Sequence, residues 1–320
     1  MAGIVIKGTG KSTGERPVSN DILAETVDTS DSWIREKTGI RSRFFAEVKS
    51  NEDMACEAAL EAVNNSGIKK EDISLVITAT FTRDDKTPAM ACRVSERLGL
   101  SEKVTAFDIN GACAGFIFAC MTAEGYLSSN RDGYALVIGS EKISPDMDMD
   151  DRTTCVLFGD GAGAAVLKYE EDAEFTFSGG GRHERDTLYC AENGKIKMAG
   201  QEVYRFAVEM VPKCIRSVAD KAGVSYEDVD YFVCHQANER IIDHVARRTK
   251  ADPEKFYKNL YDYGNTSAAS IPIALSDMND EGLLQNGTKL LCTGFGAGLT
   301  YGGIQLPCPL QYQPCIFRKS

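Results

Sequence analysis

Cys113, His235 and Asn265 have the side-chain types and the settings that covalent chemistry asks for. Cys113 ends the stretch Asn110-Gly111-Ala112-Cys113, which follows a strand-like run at residues 104–109. It opens a helix with Phe116, Cys120, Ala123 and Leu127 at core spacing. A thiol at that junction sits on the first helical turn, where unpaired N–H groups and the positive dipole end stabilise a thiolate. The arrangement is a nucleophile elbow with sulfur in place of oxygen. His235 closes the apolar run at residues 229–234 and begins His235-Gln236-Ala237-Asn238. Strand ends in α/β folds are where ligands bind. Asn265, in Tyr263-Gly264-Asn265-Thr266-Ser267-Ala268, sits near the start of a second small-residue helix. Ordinary uses compete with each: a buried core thiol, a satisfied histidine at a strand end, an N-cap or turn asparagine. Cys56, Cys92, Cys120, Cys214 and Cys234 fall inside helix- or strand-like stretches and read as core. The chain has 3 histidines, His183, His235 and His244, so any imidazole chemistry must choose among these.

The elements that must position these groups come in two similar sets. Gly67-Ile68-Lys69-Lys70-Glu71-Asp72-Ile73, followed by Leu75-Val76-Ile77, has the same grammar as Gly223-Val224-Ser225-Tyr226-Glu227-Asp228-Val229, followed by Tyr231-Phe232-Val233. The offset is 223 − 67 = 156. In each set a helix stops at glycine, an acidic turn follows, and a buried strand begins. The same offset carries Ala112-Cys113-Ala114 onto Ala268-Ala269-Ser270, and an offset of 155 carries Val137-Ile138-Gly139 onto Cys292-Thr293-Gly294. The spacing predicts a duplicated chain with halves at about 1–170 and 171–320. Alternating strands and helices predict α/β layering with mostly parallel buried strands, two central helices starting near 112 and 268, and a site where the halves meet.

Composition narrows the function further. The 47 acidic residues outnumber the 36 basic ones for a net charge of −11, which disfavours nucleic acid as a partner. The 11 cysteines are scattered without a CxxC pair, which argues against a disulfide framework or a zinc site. No secretory pattern stands at Met1-Ala2-Gly3-Ile4, so the thiols point to a reducing cytoplasm. The most apolar stretch, residues 112–121, is far short of the ~20 residues that span a bilayer. Gly159-Asp160-Gly161-Ala162-Gly163 and Gly294-Phe295-Gly296-Ala297-Gly298 lack the GxGxxG spacing and context of a dinucleotide loop.

Taken together, Ala112-Cys113-Ala114-Gly115-Phe116, His235-Gln236-Ala237-Asn238 and Gly264-Asn265-Thr266-Ser267-Ala268-Ala269-Ser270 are similar to the three active-site motifs of the ketoacyl-acyl carrier protein synthase III family. Thr29-Ser30-Asp31-Ser32-Trp33-Ile34, Thr38-Gly39-Ile40-Arg41 and the two glycine runs above resemble flanking segments of that family. The resemblance covers about residues 3 to 306, in order and in spacing. It implies a five-layered thiolase fold (α-β-α-β-α), a homodimer, and a cytoplasmic role in starting fatty-acid or related acyl chains. Chalcone-synthase-like enzymes share Cys-His-Asn and are the nearest enzymatic rival. A paralogue that binds CoA or carrier protein without chemistry is the rival of another class.

The resemblance also implies a mechanism. Cys113 accepts an acyl group from an acyl-CoA, with the N–H groups of Cys113 and Ala297 holding the oxyanion. Malonyl-acyl carrier protein then loses carbon dioxide. Neutral His235 and Asn265 donate to the enolate oxygen, and the carbanion attacks acyl-Cys113. The CoA thioester is a substrate, and no metal or redox cofactor is called for. By the same resemblance Trp33 and Arg152 stack on the CoA adenine, Lys37 meets phosphate, and Gly200 and Asn238 touch pantetheine. Thr87 and Phe295 fall at the acyl pocket. Arg205, Arg240, Arg247 and Arg248 form a basic stripe suited to an acidic carrier protein. Departures from the family pattern concentrate at Asn110-Gly111, at Thr87 and in the charged segment 179–194, which leaves the starter acyl group open. The Pro-containing tail 307–320 extends past the family's usual end.

Overall fold

The apolar runs pair into two sheets in this computed structural model, which describes residues 2–192 and 194–308. The tail beyond Cys308 lies outside the described residues. The strands are β1 (Gly3–Thr13), β2 (Arg16–Ser19), β3 (Ser42–Phe45), β4 (Ile73–Ala79), β5 (Thr105–Ile109), β6 (Tyr134–Glu141), β7 (Gly161–Glu170), β8 (Thr176–Gly181), β9 (Leu188–Cys190), β10 (Ile196–Met198), β11 (Tyr231–Cys234), β12 (Leu290–Gly296) and β13 (Thr300–Gln305). The helices are α1 (Asn20–Ala24), α2 (Asp31–Thr38), α3 (Asn51–Ser66), α4 (Met90–Leu98), α5 (Gly115–Leu127), α6 (Arg152–Cys155), α7 (Gly200–Ala222), α8 (Glu239–Thr249), α9 (Leu260–Tyr263) and α10 (Ser270–Asp280).

The first sheet has the order β1-β7-β6-β4-β5 and the second β11-β12-β13-β8. In the first, β4 runs parallel to β5 and β6, while β7 runs antiparallel to β6 and β1. In the second, β11 is parallel to β12, and β13 is antiparallel to both β12 and β8. Both sheets are therefore mixed rather than mostly parallel. The hairpin between β12 and β13 shows why: a turn this short can join only antiparallel neighbours. The counterpart of β5 in the second sheet shrinks to one parallel bridge between Phe232 and Phe256.

Three separate apolar clusters make the layers. One joins α3 and α4 to the outer face of the first sheet, and another joins α7 and α8 to the outer face of the second. The central cluster holds α5 and α10 between the two sheets. Strand β6 shows the alternation that allows this: Ala135 and Val137 face the central helices, and Leu136 and Ile138 face α3. The result is the five-layered α-β-α-β-α order of the thiolase fold. Helix α5 is covered from both sides, so it is apolar around most of its circumference.

The duplication reappears in backbone detail. Helix α3 ends at Gly67 with φ +69° and α7 at Gly223 with φ +65°, with no atom near where a Cβ would stand in either case. Left-handed backbone alone asks for glycine at both stops. The short 3-10 turns Ala112–Ala114 and Ser267–Ala269 lead directly into α5 and α10. They begin at Ala112 and Ser267, with φ of 44° and 50°. The offset is 267 − 112 = 155, so the backbone partner of Cys113 is Ala268, one residue from the alignment of small-residue triplets. The left-handed residue that starts each turn sets the register, and small neighbours slide past it in sequence comparison.

The halves interlock at glycines. A Cβ at Gly139 of β6 would stand 2.2 Å from the Ala268 carbonyl oxygen, and one at Gly294 of β12 would stand 3.1 Å from the Cys113 carbonyl oxygen. Each middle strand thus crosses the helix start of the other half. Gly139→Ala should lower the thermal midpoint sharply or prevent folding. Gly125→Ala, on the exposed side of α5 with open space for its methyl, should stabilise by about 0.5–1 kcal/mol. Thermal melts followed by circular dichroism measure both.

Candidate active site

Cys113, His235 and Asn265 line one cavity of about 110 Å³ together with Gly200, Asn238 and Phe295. Cys113 also lines a second, larger cavity of about 310 Å³. Phe81, Phe158, Leu188, Tyr189 and Ile196 make much of the second wall, with Asn110, Arg185 and Ser267 among its polar members. The thiol thus stands where two chambers meet. The three reactive groups are 8%, 1% and 7% exposed, so bulk water reaches none of them freely.

Cys113 is held in the 3-10 turn rather than in the α-helix proper, and β12 presses against it. A Cβ at Gly296 would stand 2.7 Å from the Cys113 nitrogen, so only glycine allows this approach. Ala297 follows and lines the larger cavity beside Cys113. The expected stabilised thiolate needs correcting. Burial pushes the thiol up to about 12; the Ser267 hydroxyl and the thiol's own backbone N–H pull down, and the Glu141 carboxylate adds to the rise. Desolvation of a charge outweighs those hydrogen bonds here, and the resting sulfur is protonated.

His235 leaves the end of β11 with its N–H donating to the Thr293 carbonyl of β12 at 2.7 Å. Its Nδ1 lies 2.6 Å from the Ser270 hydroxyl, and its ring meets Phe295 edge-on at 5.3 Å. Ser270 Oγ also accepts from the Gln236 N–H at 3.4 Å. The tautomer in which Ser270 donates to Nδ1 carries the imidazole proton on Nε2, as a hydrogen-bond donor. Burial holds the ring neutral, with its pKa down at about 3. Asn265 is fixed through its backbone to Leu157 and Gly159, and its Oδ1 accepts from the Ser267 N–H at 2.9 Å. Its amide NH2 is thereby turned to donate. A neutral imidazole N–H and a neutral amide beside one buried thiol can stabilise an oxyanion without adding net charge.

Other residues singled out from sequence lie as follows. Arg152 rests over the Trp33 ring at 4.9 Å and donates to the Asp28 carbonyl at 2.8 Å. Asn238 caps α8 by accepting from the Arg240 N–H at 2.9 Å, and it donates to the Lys37 carbonyl at 3.0 Å, joining α2 to α8. The Lys37 ammonium pairs with Glu36 at 2.6 Å. Phe295 lines the smaller cavity against His235, not the larger one. Thr87 is exposed and lines neither cavity; Phe81 of the same loop lines the larger. Arg205, Arg240, Arg247 and Arg248 are exposed, and among the described residues none of the four is in an ion pair. By contrast Arg35, Arg93, Arg97, Arg131 and Arg182 all have carboxylate partners.

Glu141 and Ser267 are the functional candidates that sequence reasoning passed over. Glu141 ends β6 fully buried, with its carboxyl bonded to Ser267, Thr80 and Thr82. A single acid at the end of an otherwise apolar strand, just past Gly139-Ser140, is the signal that could have found it.

The layered fold and a buried Cys-His-Asn set between its halves define a thiolase-fold condensing enzyme. Residues 107–179 match the family described as 3-Oxoacyl-[acyl-carrier-protein (ACP)] synthase III, and residues 219–307 match its C-terminal model. The chain is 41% identical, over 96% of its length and 99% of the relative, to Beta-ketoacyl-[acyl-carrier-protein] synthase III of Clostridium acetobutylicum. The solved structure of 3-oxoacyl-[acyl-carrier-protein] synthase III from Aquifex aeolicus is 40% identical, with a TM-score of 0.92 over 95% of this chain and 100% of that one. The priming beta-ketosynthase of the R1128 polyketide pathway is 32% identical, with a TM-score of 0.91 over 96% of each chain. The chain belongs to the 3-oxoacyl-[acyl-carrier-protein] synthase III family, and its activity is the acyl-transferring condensation that initiates fatty-acid synthesis.

A neutral imidazole should leave a signature in pH. Decarboxylation of a malonyl thioester by a Cys113→Ala variant should show no limb from His235 between pH 5 and 8, because the ring protonates only near 3. A limb near pH 6–7 that vanishes in the added His235→Gln variant would contradict this. Ser270→Ala should slow the same step by roughly tenfold, as loss of one neutral hydrogen bond worth about 1–1.5 kcal/mol implies.

Proposed function

We propose that Cys113 takes a starter acyl group from an acyl-CoA and that the acyl enzyme condenses with malonyl-acyl carrier protein to give a 3-oxoacyl-acyl carrier protein and carbon dioxide. The observation that carries this reading is that Cys113 borders both cavities. Thioesters arrive along the smaller one, past Gly200 and Asn238, while the acyl chain rests in the larger. The N–H groups of Cys113 and Ala297 hold the oxyanion of acyl transfer. His235 Nε2–H and the Asn265 amide then hold the enolate oxygen left by decarboxylation, each donor contributing roughly 3–4 kcal/mol to that transition state. Protein groups and thioesters suffice for these steps, without metal or redox cofactor.

The CoA adenine fits at Trp33 by displacing Arg152 from the ring face, and Lys37 supplies a point charge for phosphate once released from Glu36. The four unpaired arginines on α7 and α8 offer an acidic carrier protein a docking face near the cavity mouth. The cavity of about 310 Å³ supports starters larger than acetyl. The charged segment 179–194 contributes Arg185, Leu188, Tyr189 and Cys190 to this wall, so the departure from the family pattern falls on the starter chamber. The reading takes the enzyme as a cytoplasmic homodimer. The 10 described cysteines are free thiols, which suits a reducing compartment. Among the described residues no helix is long and apolar enough to cross a membrane.

Radiolabelled acyl-CoAs of increasing chain length test the reading directly. Label should appear on Cys113, be absent in Cys113→Ala, and be taken up faster from donors longer than acetyl. An enzyme that no acyl-CoA labels refutes the catalytic reading and leaves a binding-only role. Arg247→Glu should raise KM for malonyl-acyl carrier protein by roughly tenfold, about the 1.4 kcal/mol of one lost charge contact, and leave acyl loading intact.

A further inference from the structure

Acyl loading needs the Cys113 proton to go somewhere, and the neighbouring imidazole cannot take it. The His235 ring is held at Nδ1 by the Ser270 hydroxyl at 2.6 Å, and burial lowers its pKa to about 3, so it is a poor base for a thiol. Glu141 is a buried carboxyl that the steps above do not use, and its two oxygens are unequal. Oε2 accepts from the Phe81 and Thr82 N–H groups at 3.3 and 3.2 Å and from the Thr80 and Thr82 hydroxyls at 3.2 and 2.5 Å. Oε1 has one partner, the Ser267 hydroxyl at 3.2 Å. With four donors on Oε2, a proton on this carboxyl has its seat on Oε1, facing Ser267. Ser267 in turn lines the larger cavity with Cys113, and its hydroxyl acts on the thiol. Among the hydrogen bonds of the described residues none joins the two in the resting enzyme; contacts of this kind often tighten only with substrate bound.

We propose that Glu141 takes up the Cys113 proton through the Ser267 hydroxyl during acyl loading and returns it when the product leaves. This rests on Cys113 being the acyl acceptor. As sulfur bonds to the acyl carbon, the S–H proton passes to Ser267 Oγ and the Ser267 hydroxyl proton passes to Glu141 Oε1. The carbon–sulfur bond to CoA then breaks, and the CoA thiolate takes a proton from water. In condensation the enolate carbon bonds to the acyl carbon, and the bond to Cys113 breaks. The released thiolate regains its proton from Glu141 through Ser267. One solvent proton is consumed over the cycle, which matches the loss of carbon dioxide from a carboxylate. Burial pushes Glu141 up to about 7, with its hydrogen bonds pulling against that rise. A base of that strength does not strip a thiol near 12 outright, so the proton moves as the S–C bond forms and free thiolate does not accumulate.

The charged neighbours leave this pair to itself. Lys142 is turned to the Lys49 carbonyl at 2.8 Å, Asp84 accepts from the Asn51 and Glu52 N–H groups, and Asp160 accepts from Ala46, Ile143 and Ser144. Across Ser267 the facing titratable group is Cys113.

Rapid-mixing measurement of CoA release tests the relay. Loading by the wild type should rise with pH through about 7, as the carboxylate form is needed. Glu141→Gln should load at least ~100-fold more slowly, the lower range for general-base assistance, and should lose that pH limb. In a Cys113→Ala background the same substitution should leave malonyl decarboxylation within about threefold, since that step moves no proton through Glu141. Ser267→Ala should show the same loading deficit while keeping every donor to Oε2. Its backbone tolerates alanine, as Ala112 adopts the matching φ of 44° in the other half. Should Glu141→Gln fail to fold, Ser267→Ala decides. Wild-type loading in either variant overturns the relay, as does an equal fall in loading, decarboxylation and thermal midpoint. A wild-type enzyme that is never acylated at Cys113 instead overturns the proposed function.

Discussion

The end of strand β12 and Ala297 just after it govern this site, because five consecutive residues there reach both Cys113 and His235. The Thr293 carbonyl fixes the His235 backbone, Gly294 lies against the Cys113 carbonyl, and Phe295 meets the imidazole edge-on. Gly296 lets the backbone approach the Cys113 nitrogen, and Ala297 reaches the larger cavity. The approach at Gly296 is closer than any side chain allows, so a methyl group there would push the thiol away from its partners, and Gly294 leaves little more room. Gly139 makes the mirror crossing in the other half, against Ala268. Tight interlocking of the two halves is thus the condition for the fold and for the chemistry alike.

Burial then sets the electrostatics. The same desolvation raises the thiol and lowers the imidazole, so sulfur, ring and amide all rest without charge. Such a site is well suited to a reaction whose negative charge appears transiently on oxygen, because fixed neutral donors need not reorganise when it forms. The cost is that the nucleophile is not ionised in advance.

Much of this was legible from residue order. Cys113 and His235 each sit at a punctuation mark, a strand running into a helix or a loop, and such marks survive in sequence. Gly67 and Gly223 announced the repeat because left-handed backbone restricts the residue type. Facing was less legible. Phe295 turns to His235 rather than to the larger cavity, and Thr87 lies outside that cavity while Phe81 lines it, because side-chain direction depends on the pairing of neighbouring strands and loops. Glu141 and Ser267 are 126 residues apart in the chain, so no local pattern could have paired them.

Residue order by itself determined the duplicated α/β plan and marked Cys113, His235 and Asn265 at element junctions, since periodicity, glycine stops and side-chain type are local properties; the thioester chemistry came from the resemblance of their motifs to the family. Tertiary structure alone decided the one-residue register between the halves, the mixed direction of the sheets, the Ser270 contact at His235 Nδ1 and the ionisation of Cys113. Those depend on distance and on exclusion of water, and both arise only when segments far apart in the chain are pressed together.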